Sequence, residues 1–206
     1  RDLHPKFTTT KLAQDLGNKL DCPIVPVQHH HAHVASLMGE WNINEMVGVA
    51  CDGFGYGSDG TAWGGEILYC NREGFQRLGH LEEQPMVGGD LATLYPLRMV
   101  AGILHGEAEV EEWLLSNSDR FPHGKKEVEV IFKQLENGLA PKTTSCGRVL
   151  DAVSAILGIC CERTYEGEPA MKLESVALKG KDVLNLAPRL ERNVIKTTFL
   201  VREIFS

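Results

Sequence analysis

The order of strand-like and helix-like segments predicts a mixed α/β protein. Three short apolar runs, at 46–51, 63–70 and 75–81, are separated by turn-forming residues and predict a three-stranded antiparallel meander. In the second half of the chain apolar residues recur at helical spacing, with proline near segment starts and glycine at segment ends. This order is expected of part of a two-lobed fold, with residues 1–45 as the remainder of a first lobe and residues 46–206 as a second lobe.

The individual elements follow from the same patterns. Before the meander, the apolar run 24–27 between two prolines predicts a buried strand. Residues 29–41 predict a helix with Val34, Leu37 and Met38 on its apolar face. The helical block is predicted to comprise 95–105, 107–115, 125–137, 148–157 and 169–179, and then a stretch at 182–206 that is helical at both ends.

Composition narrows the class of protein. The net charge of −7 over 206 residues argues against a broad electrostatic contact with nucleic acid or with an anionic membrane. The chain has no apolar run of membrane-spanning length and no secretory signal, and its six cysteines form no C-x-x-C pair. We therefore expect a cytoplasmic protein with reduced thiols. Because the sequence starts at Arg1, we also expect a piece of a longer protein.

Four of the eight histidines lie within the five residues 29–33. Residues four apart lie one above the other on a helix, so His29 and His33 can direct both imidazoles to one point. Imidazole is a common ligand of zinc and iron, but two histidines leave a metal site incomplete. A lone histidine is more often simply hydrogen-bonded, whereas this cluster predicts a metal site that a carboxylate or water completes.

Asp52 directly follows the first strand of the meander and opens a glycine-rich loop at 52–60. Glycines such as Gly53, Gly55 and Gly57 let backbone N–H groups approach a phosphate, and the aspartate can bind a metal or orient a water on it. A tight hairpin that needs glycine is the alternative. Six glycines within positions 53–65 exceed the needs of one hairpin, so we predict that the loop contacts a ligand.

Three further segments open predicted helices. Arg148 and Asp151, in the helix that starts after Ser145, can bind a phosphate and a ribose hydroxyl, with a capped helix and a surface salt bridge as the alternative. Asp90, after two glycines, is expected to cap a helix more readily than to line a cleft. Glu168 either caps its helix or contacts a ligand.

Taken together and in this order, the motifs resemble those of the C-terminal domain of the HypF family, the carbamoyltransferases of NiFe-hydrogenase maturation. The resemblance covers about residues 1–175. The matching motifs are Asp2-Leu3-His4-Pro5, Gln28-His29-His30-His31-Ala32-His33, the run Asp52-Gly53-Phe54-Gly55-Tyr56-Gly57-Ser58-Asp59-Gly60-Thr61-Ala62-Trp63-Gly64-Gly65-Glu66, Gly79-His80-Leu81, Gly88-Gly89-Asp90, Ser145-Cys146-Gly147-Arg148 with Asp151, and Tyr165-Glu166-Gly167-Glu168 with Ala170-Met171 and Leu173-Glu174.

The resemblance implies a partial actin/Hsp70-like (ASKHA) ATPase fold, in the branch shared with the tRNA-modifying TsaD proteins. It also implies a reaction. An upstream domain of the family makes carbamoyl-adenylate from carbamoyl phosphate and ATP. The domain resembled here then passes the carbamoyl group to the C-terminal cysteine thiol of the partner HypE, and the thiocarbamate is later dehydrated towards a cyanide ligand.

Residue roles carry over from the family by position. His29 and His33 would bind a divalent metal, iron or zinc, with Asp52 as the third ligand, and these three would be the catalytic residues. The loop containing Gly53, Gly55 and Gly57 would face the phosphate, and the residues near the nucleoside would be Asp151, Gly167 and Glu168. The family's distal Ser-Gly-Gly-Val-like segment is absent from this sequence, so an incomplete site is expected.

Three alternatives remain open. An O-carbamoyltransferase of the NodU/TobZ type shares the paired histidines and the aspartate but transfers to a sugar hydroxyl. A TsaD-like tRNA modifier normally has Ser-Gly-Gly-x-Thr where this chain has Asp52-Gly53-Phe54-Gly55. The non-enzymatic alternative is a metal- or nucleotide-binding fragment that only docks a partner.

Overall fold

The computed structural model describes all 206 residues. The helices are α1 Thr8–Leu20, α2 His29–Trp41, α3 Leu91–Leu94, α4 Leu97–Leu104, α5 Ala108–Ser116, α6 Lys125–Glu136, α7 Cys146–Ile156, α8 Glu168–Ala177 and α9 Thr197–Phe205. The strands are β1 Glu45–Tyr56, β2 Ala62–Asn71, β3 Phe75–Leu81, β4 Gln84–Pro85, β5 Lys142–Thr143, β6 Arg189–Glu191 and β7 Val194–Lys196. The protein is therefore mixed α/β, as predicted. None of its helices is both long enough and apolar enough to span a membrane.

All seven strands belong to one mixed sheet. The predicted meander is confirmed, because β1 pairs antiparallel with β2 and β2 pairs antiparallel with β3. The short strands extend it in the order β4-β5-β2-β3-β7-β6, with parallel pairing of β5 to β2 and of β7 to β3. The pairing of β1 with β2 is irregular between Cys51 and Gly55, which marks the point where the sheet approaches α2.

The predicted helices are confirmed, with bounds within two residues of those expected. The helix α2 covers the predicted residues 29–41 and begins where the Gln28 side chain accepts a hydrogen bond from the His31 N–H. It ends at Asn42, which adopts the left-handed conformation that stops a helix. Of its expected apolar face, Val34 and Met38 are buried, whereas Leu37 is 45% exposed because α2 meets the sheet along a narrow seam.

Three expectations about secondary structure are wrong. The run 24–27 forms no strand, because Pro23 before it and Pro26 within it have no N–H to donate to a neighbouring strand; only Val27 makes a single bridge, to Asp2. The loop expected at 52–60 is strand as far as Tyr56, and the turn begins only at Gly57. The stretch 182–206 is helical at its C-terminal end alone, since the β6–β7 hairpin precedes α9.

Two cores of unequal size hold the fold together. The larger contains 17 buried residues and is centred on α4, all eight residues of which are buried. The smaller packs Val34 and Met38 of α2 against Trp63, Leu68 and Cys70 of β2. Because β1 pairs with β2 along the same face, this small core fixes the first turn of α2 beside the end of β1.

Two helical glycines provide a test of this packing. A Cβ on Gly102 in α4 would lie 2.0 Å from the Pro85 carbonyl oxygen, whereas a Cβ on Gly39 in α2 would have no neighbour within 4 Å. We expect Gly102→Ala to lower the free energy of unfolding by about 1–3 kcal/mol through overpacking. Gly39→Ala, the matched control, should raise it by up to about 1 kcal/mol through helix propensity. Urea denaturation measures both, and equal effects would contradict the packing of α4 on β4.

Candidate metal centre and adjoining cleft

The first turn of α2 brings two histidines together. His29 and His33 lie one turn apart, and their Nε2 atoms are 3.2 Å from each other. Two lone pairs cannot hydrogen-bond without a proton between them, but both can bind one cation. The sequence prediction of a paired-imidazole site therefore agrees with the geometry.

Asp52, near the end of β1, supplies a carboxylate to the same point. Its Oδ2 lies 3.0 Å from His29 Nε2, and the ligand atoms of His29, His33 and Asp52 all lie within 4.8 Å of one another. This Oδ2 is buried and has no correctly oriented hydrogen-bond donor, as expected of an oxygen that a cation would occupy. Two imidazoles and one carboxylate suit zinc with a water, or iron with open positions.

Asp2 holds His29 from behind. The Asp2 Oδ2 atom lies 2.9 Å from His29 Nδ1, and the His4 backbone N–H donates to Asp2 Oδ1 at 2.7 Å. A carboxylate at Nδ1 places the proton there, which leaves the Nε2 lone pair free for a metal. Burial raises the pKa of Asp2, but the hydrogen bonds from His4 and His29 outweigh it and leave the pKa below its usual value. In the sequence Asp2 is only part of a motif, and no local pattern predicts its role.

The charge of Asp52 is secured by its surroundings. Burial raises the pKa of this carboxyl, but the His30 side chain at 3.4 Å, the Gly53 N–H at 2.6 Å and the charge of the nearby imidazoles lower the pKa by more than burial raises it, to about 2. Asp52 is therefore an anion across the physiological pH range. No protonation of the carboxylate opposes cation binding there.

Gly55 lies directly under two of the imidazoles. A Cβ at this position would lie 2.4 Å from His30 Cε1 and 2.8 Å from His29 Cδ2. The glycine therefore lets the two imidazoles pack on the backbone of β1, and its predicted contact with a phosphate stays a prediction. Gly57 similarly faces the Trp63 ring.

A cavity of about 570 Å³ adjoins the metal triad, within the size range of small-ligand sites. Asp52 and Gly53 form one wall of it, and the start of α7 forms another. Its lining residues are Phe7, Cys51, Asp52, Gly53, Phe54, Met86, Asp90, Thr93, Cys146, Gly147, Arg148, Leu150, Asp151, Arg163, Glu166, Gly167 and Ala170. Asp52 thus belongs both to the triad and to the cavity wall.

The start of α7 is capped by Ser145, as its position predicts. The Ser145 hydroxyl accepts a hydrogen bond from the Arg148 N–H at 3.2 Å and lies 2.9 and 2.8 Å from the carbonyl oxygens of Asp52 and Gly53. The ion pair that follows is buried, not on the surface: Arg148 Nε and Asp151 Oδ2 are 2.7 Å apart. Burial raises the pKa of Asp151 to about 6, against the opposing effect of the arginines.

Some of the other predicted site residues line the cavity and others do not. Gly167 lines the cavity, whereas the buried Glu168 carboxylate accepts hydrogen bonds from the Thr164 backbone and hydroxyl and pairs with Lys172 at 2.7 Å. Asp90 makes no side-chain cap and lines the cavity instead, because Asp90 itself already has helical backbone angles. The expectation that Asp90 caps a helix is wrong.

The cavity also contains two cysteines for which the sequence predicts no role. Cys51 and Cys146 face each other from β1 and α7, and burial together with the neighbouring Cys51 raises the pKa of Cys146 to about 11. They are 95 positions apart, so no local spacing indicated the pair. All six cysteines are free thiols in the structure.

An imidazole–carboxylate triad at the edge of a ligand-sized cleft is a candidate metal and ligand site in an α/β domain, and comparison with known proteins gives the family of the chain. Residues 48–206 match the family model of the carbamoyltransferase Kae1-like domain, second subdomain, and residues 1–40 match that of the HypF Kae1-like domain. The chain therefore belongs to the HypF family of carbamoyltransferases and corresponds to its Kae1-like domain.

The similar proteins are much longer than this chain. A probable carbamoyltransferase HypF of Methanocaldococcus jannaschii is 48% identical over 97% of the chain, which covers 26% of that protein. A carbamoyltransferase HypF homolog of Cupriavidus necator is 42% identical over 85% of the chain and 45% of its own length. The chain thus spans about a quarter to a half of these relatives.

Solved structures agree with the fold. The crystal structure of T. kodakarensis HypF superposes with a TM-score of 0.91 at 44% identity, covering 99% of this chain and 28% of that one. Full-length HypF in its phosphate- and nucleotide-bound form superposes with a TM-score of 0.86 at 34% identity, covering 99% of this chain and 31% of that one.

The contact between Asp2 and His29 yields a prediction for metal affinity. Asp2→Asn replaces the carboxylate behind the imidazole by a neutral amide, which lowers the basicity of His29 Nε2. We expect the affinity for Zn²⁺ to fall roughly tenfold to a hundredfold, as measured by competition with a chromophoric chelator. Asp15→Asn, at an exposed position of α1, is the matched control and should leave the affinity unchanged. An equal loss of affinity in both variants would show that Asp2 has no specific effect on the metal site.

Proposed function

We propose that this chain is the carbamoyl-transfer domain of a HypF-type hydrogenase maturation protein. Its substrate would be carbamoyl-adenylate made by another domain, and its acceptor the C-terminal cysteine thiol of HypE. The observation that carries the proposal is the position of Asp52, which joins the metal triad to the wall of a nucleotide-sized cleft. Similarity to carbamoyltransferases supports it, as does the phosphate- and nucleotide-bound state of a related HypF.

In this proposal the metal ligands lie at one end of the cleft and the residues that contact the nucleotide lie at the other. His29, His33 and Asp52 would hold iron or zinc, which supplies Lewis-acid polarisation of the carbamoyl carbonyl or the phosphate. Asp151 would accept a hydrogen bond from a ribose hydroxyl, and the Arg148 guanidinium would balance phosphate charge. Gly53, at the wall of the cleft, leaves room for the phosphate to approach the backbone.

The chemical step balances without a further reactant. The thiolate of the acceptor attacks the carbamoyl carbon, so that a C–S bond forms and the C–O bond of the mixed anhydride breaks. Adenylate leaves with the electron pair of that bond. Groups that stabilise negative charge on the departing phosphate lower the barrier to this step, and Arg148 and Arg163 both line the cleft.

Two finer points of architecture belong to the same proposal. We infer an actin/Hsp70-like (ASKHA) arrangement, in which residues 1–45 complete a first lobe and residues 46–206 form the second. The separate family-model matches at 1–40 and 48–206 support a division near this boundary. The cleft between the triad and α7 would then lie where such lobes meet.

Bound metal provides the first test of the proposal. We expect the purified untagged chain to carry close to one equivalent of iron or zinc by mass spectrometry of the elements, because the three ligand atoms already converge. The His29→Ala/His33→Ala double variant should carry none. His105→Ala/His123→Ala removes two exposed histidines elsewhere and should retain the metal. A wild-type chain that takes up neither zinc nor iron would contradict the proposed site.

The raised pKa of Asp151 gives a prediction for nucleoside binding. The carboxylate takes up a proton as the pH falls through about 6 and then no longer accepts from a ribose hydroxyl. We expect the affinity for adenosine, which has no phosphate to titrate, to fall roughly tenfold between pH 7 and pH 5. Calorimetric titration measures it. Asp151→Asn should bind weakly at both pH values, and an unchanged pH dependence in this variant would exclude the assigned role.

A further inference from the structure

His30 lies between the two metal-binding histidines in sequence but outside the metal triad. Its side chain is fully buried, and its Nε2 lies 3.4 Å from Asp52 Oδ2. Both atoms are buried and neither makes a hydrogen bond of good geometry, although His29 Nε2 also lies 3.0 Å from this Oδ2. Buried polar atoms without partners are costly, so the pair must share a proton or bind something in common. The ring nitrogen that carries the proton decides between these outcomes.

The Gln28 amide can point in only one direction. Its Oε1 accepts from the His31 N–H at 2.8 Å, and its Nε2 lies 3.2 Å from the Tyr56 carbonyl oxygen. Reversing the amide would set its NH₂ group against an N–H and its oxygen against a carbonyl oxygen. The backbone on both sides therefore fixes Nε2 of Gln28 as the donor.

The same amide nitrogen lies 3.2 Å from His30 Nδ1. An amide N–H needs an acceptor, so Nδ1 must carry the lone pair, and the neutral ring must then carry its proton on Nε2. That proton lies on the Asp52 side of the ring. A protonated Nε2 has no lone pair for a metal.

The ring has little freedom to leave this orientation. A Cβ at Gly55 would lie 2.4 Å from His30 Cε1, which shows how closely the ring meets β1. On the other side it stacks on Trp63, with centroids 6.4 Å apart and an interplanar angle of 22°.

We propose that Gln28 holds His30 in the Nε2–H tautomer, so that His30 is excluded from the metal ligands and acts as a positioning residue that donates a hydrogen bond to Asp52. Asp2 imposes the opposite tautomer on His29, whose Nε2 stays free to bind the cation. The adjacent histidines thus adopt opposite tautomers because the group that contacts Nδ1 differs: an acceptor for His29 and a donor for His30. The inference rests on the proposed metal site for its consequence, but not for the tautomer itself.

The tautomer can be measured in the metal-free chain. Long-range ¹H–¹⁵N correlation spectra of the labelled protein should show His30 protonated at Nε2 and unprotonated at Nδ1. In Gln28→Glu the carboxylate still caps α2 but can only accept, so the proton should move to Nδ1. A wild-type His30 protonated at Nδ1 would overturn the proposal, whether or not the protein binds a metal.

The consequence is tested with Zn²⁺ alone. Gln28→Glu should bind Zn²⁺ roughly tenfold to a hundredfold more weakly than wild type, because Asp52 loses its donor. His30→Gln keeps an N–H near Asp52 and should bind more tightly than His30→Leu. His31→Gln, on the same helix but packed against Phe75, is the control and should match wild type.

The two proposals fail differently. If wild type does not bind Zn²⁺, the metal site is wrong, while the spectra of the metal-free chain still decide the tautomer. If wild type binds Zn²⁺ and His30→Gln is as weak as His30→Leu, the donor role of His30 is wrong and the metal site stands.

Discussion

The site depends on one backbone contact, between the end of β1 and the first turn of α7. The Ser145 hydroxyl caps α7 and, at the same time, lies within hydrogen-bond distance of the carbonyl oxygens of Asp52 and Gly53. Position 147 leaves no room for a side chain, since a Cβ on Gly147 would lie 3.0 Å from the Gly53 Cα atom. This contact forms the wall that Asp52 shares with the cleft, and so it brings the proposed metal ligands and the proposed nucleotide pocket into one site.

A second contact, between α2 and the meander, sets the other half of the triad. Val34 packs over Gly48, where a Cβ would lie 2.4 Å from the valine side chain. The helix α2 therefore packs close to the sheet, and its first turn reaches Asp52. Neighbouring groups then set the orientation and the charge of the proposed ligands. Asp2 orients His29, and the environment of Asp52 keeps that carboxylate ionised. The proposed metal ligands come from two elements, α2 and β1, and His29 and Asp52 are each held by a partner of their own.

Much of this could be predicted from the sequence, where the information is local. The periodicity of residues 29–41 gives α2 and the four-residue spacing of His29 and His33, and alternation with turn residues gives the meander. The strand predicted at 24–27 is wrong, because the missing N–H groups of Pro23 and Pro26 prevent regular strand pairing in spite of the apolar side chains. What could not be predicted are contacts across the chain. The roles of Asp2 and Gln28 follow from partners 27 and 28 positions away, and the role of Gly55 follows from rings on another element.

A crystal structure of the chain grown with Zn²⁺, with anomalous scattering recorded at the zinc edge, would locate the cation directly. We expect one strong peak about 2.0–2.2 Å from His29 Nε2, His33 Nε2 and an Asp52 carboxylate oxygen, with His30 Nε2 outside the coordination sphere. A peak held by Cys51 and Cys146, or no peak near α2, would show that the triad is not the metal site.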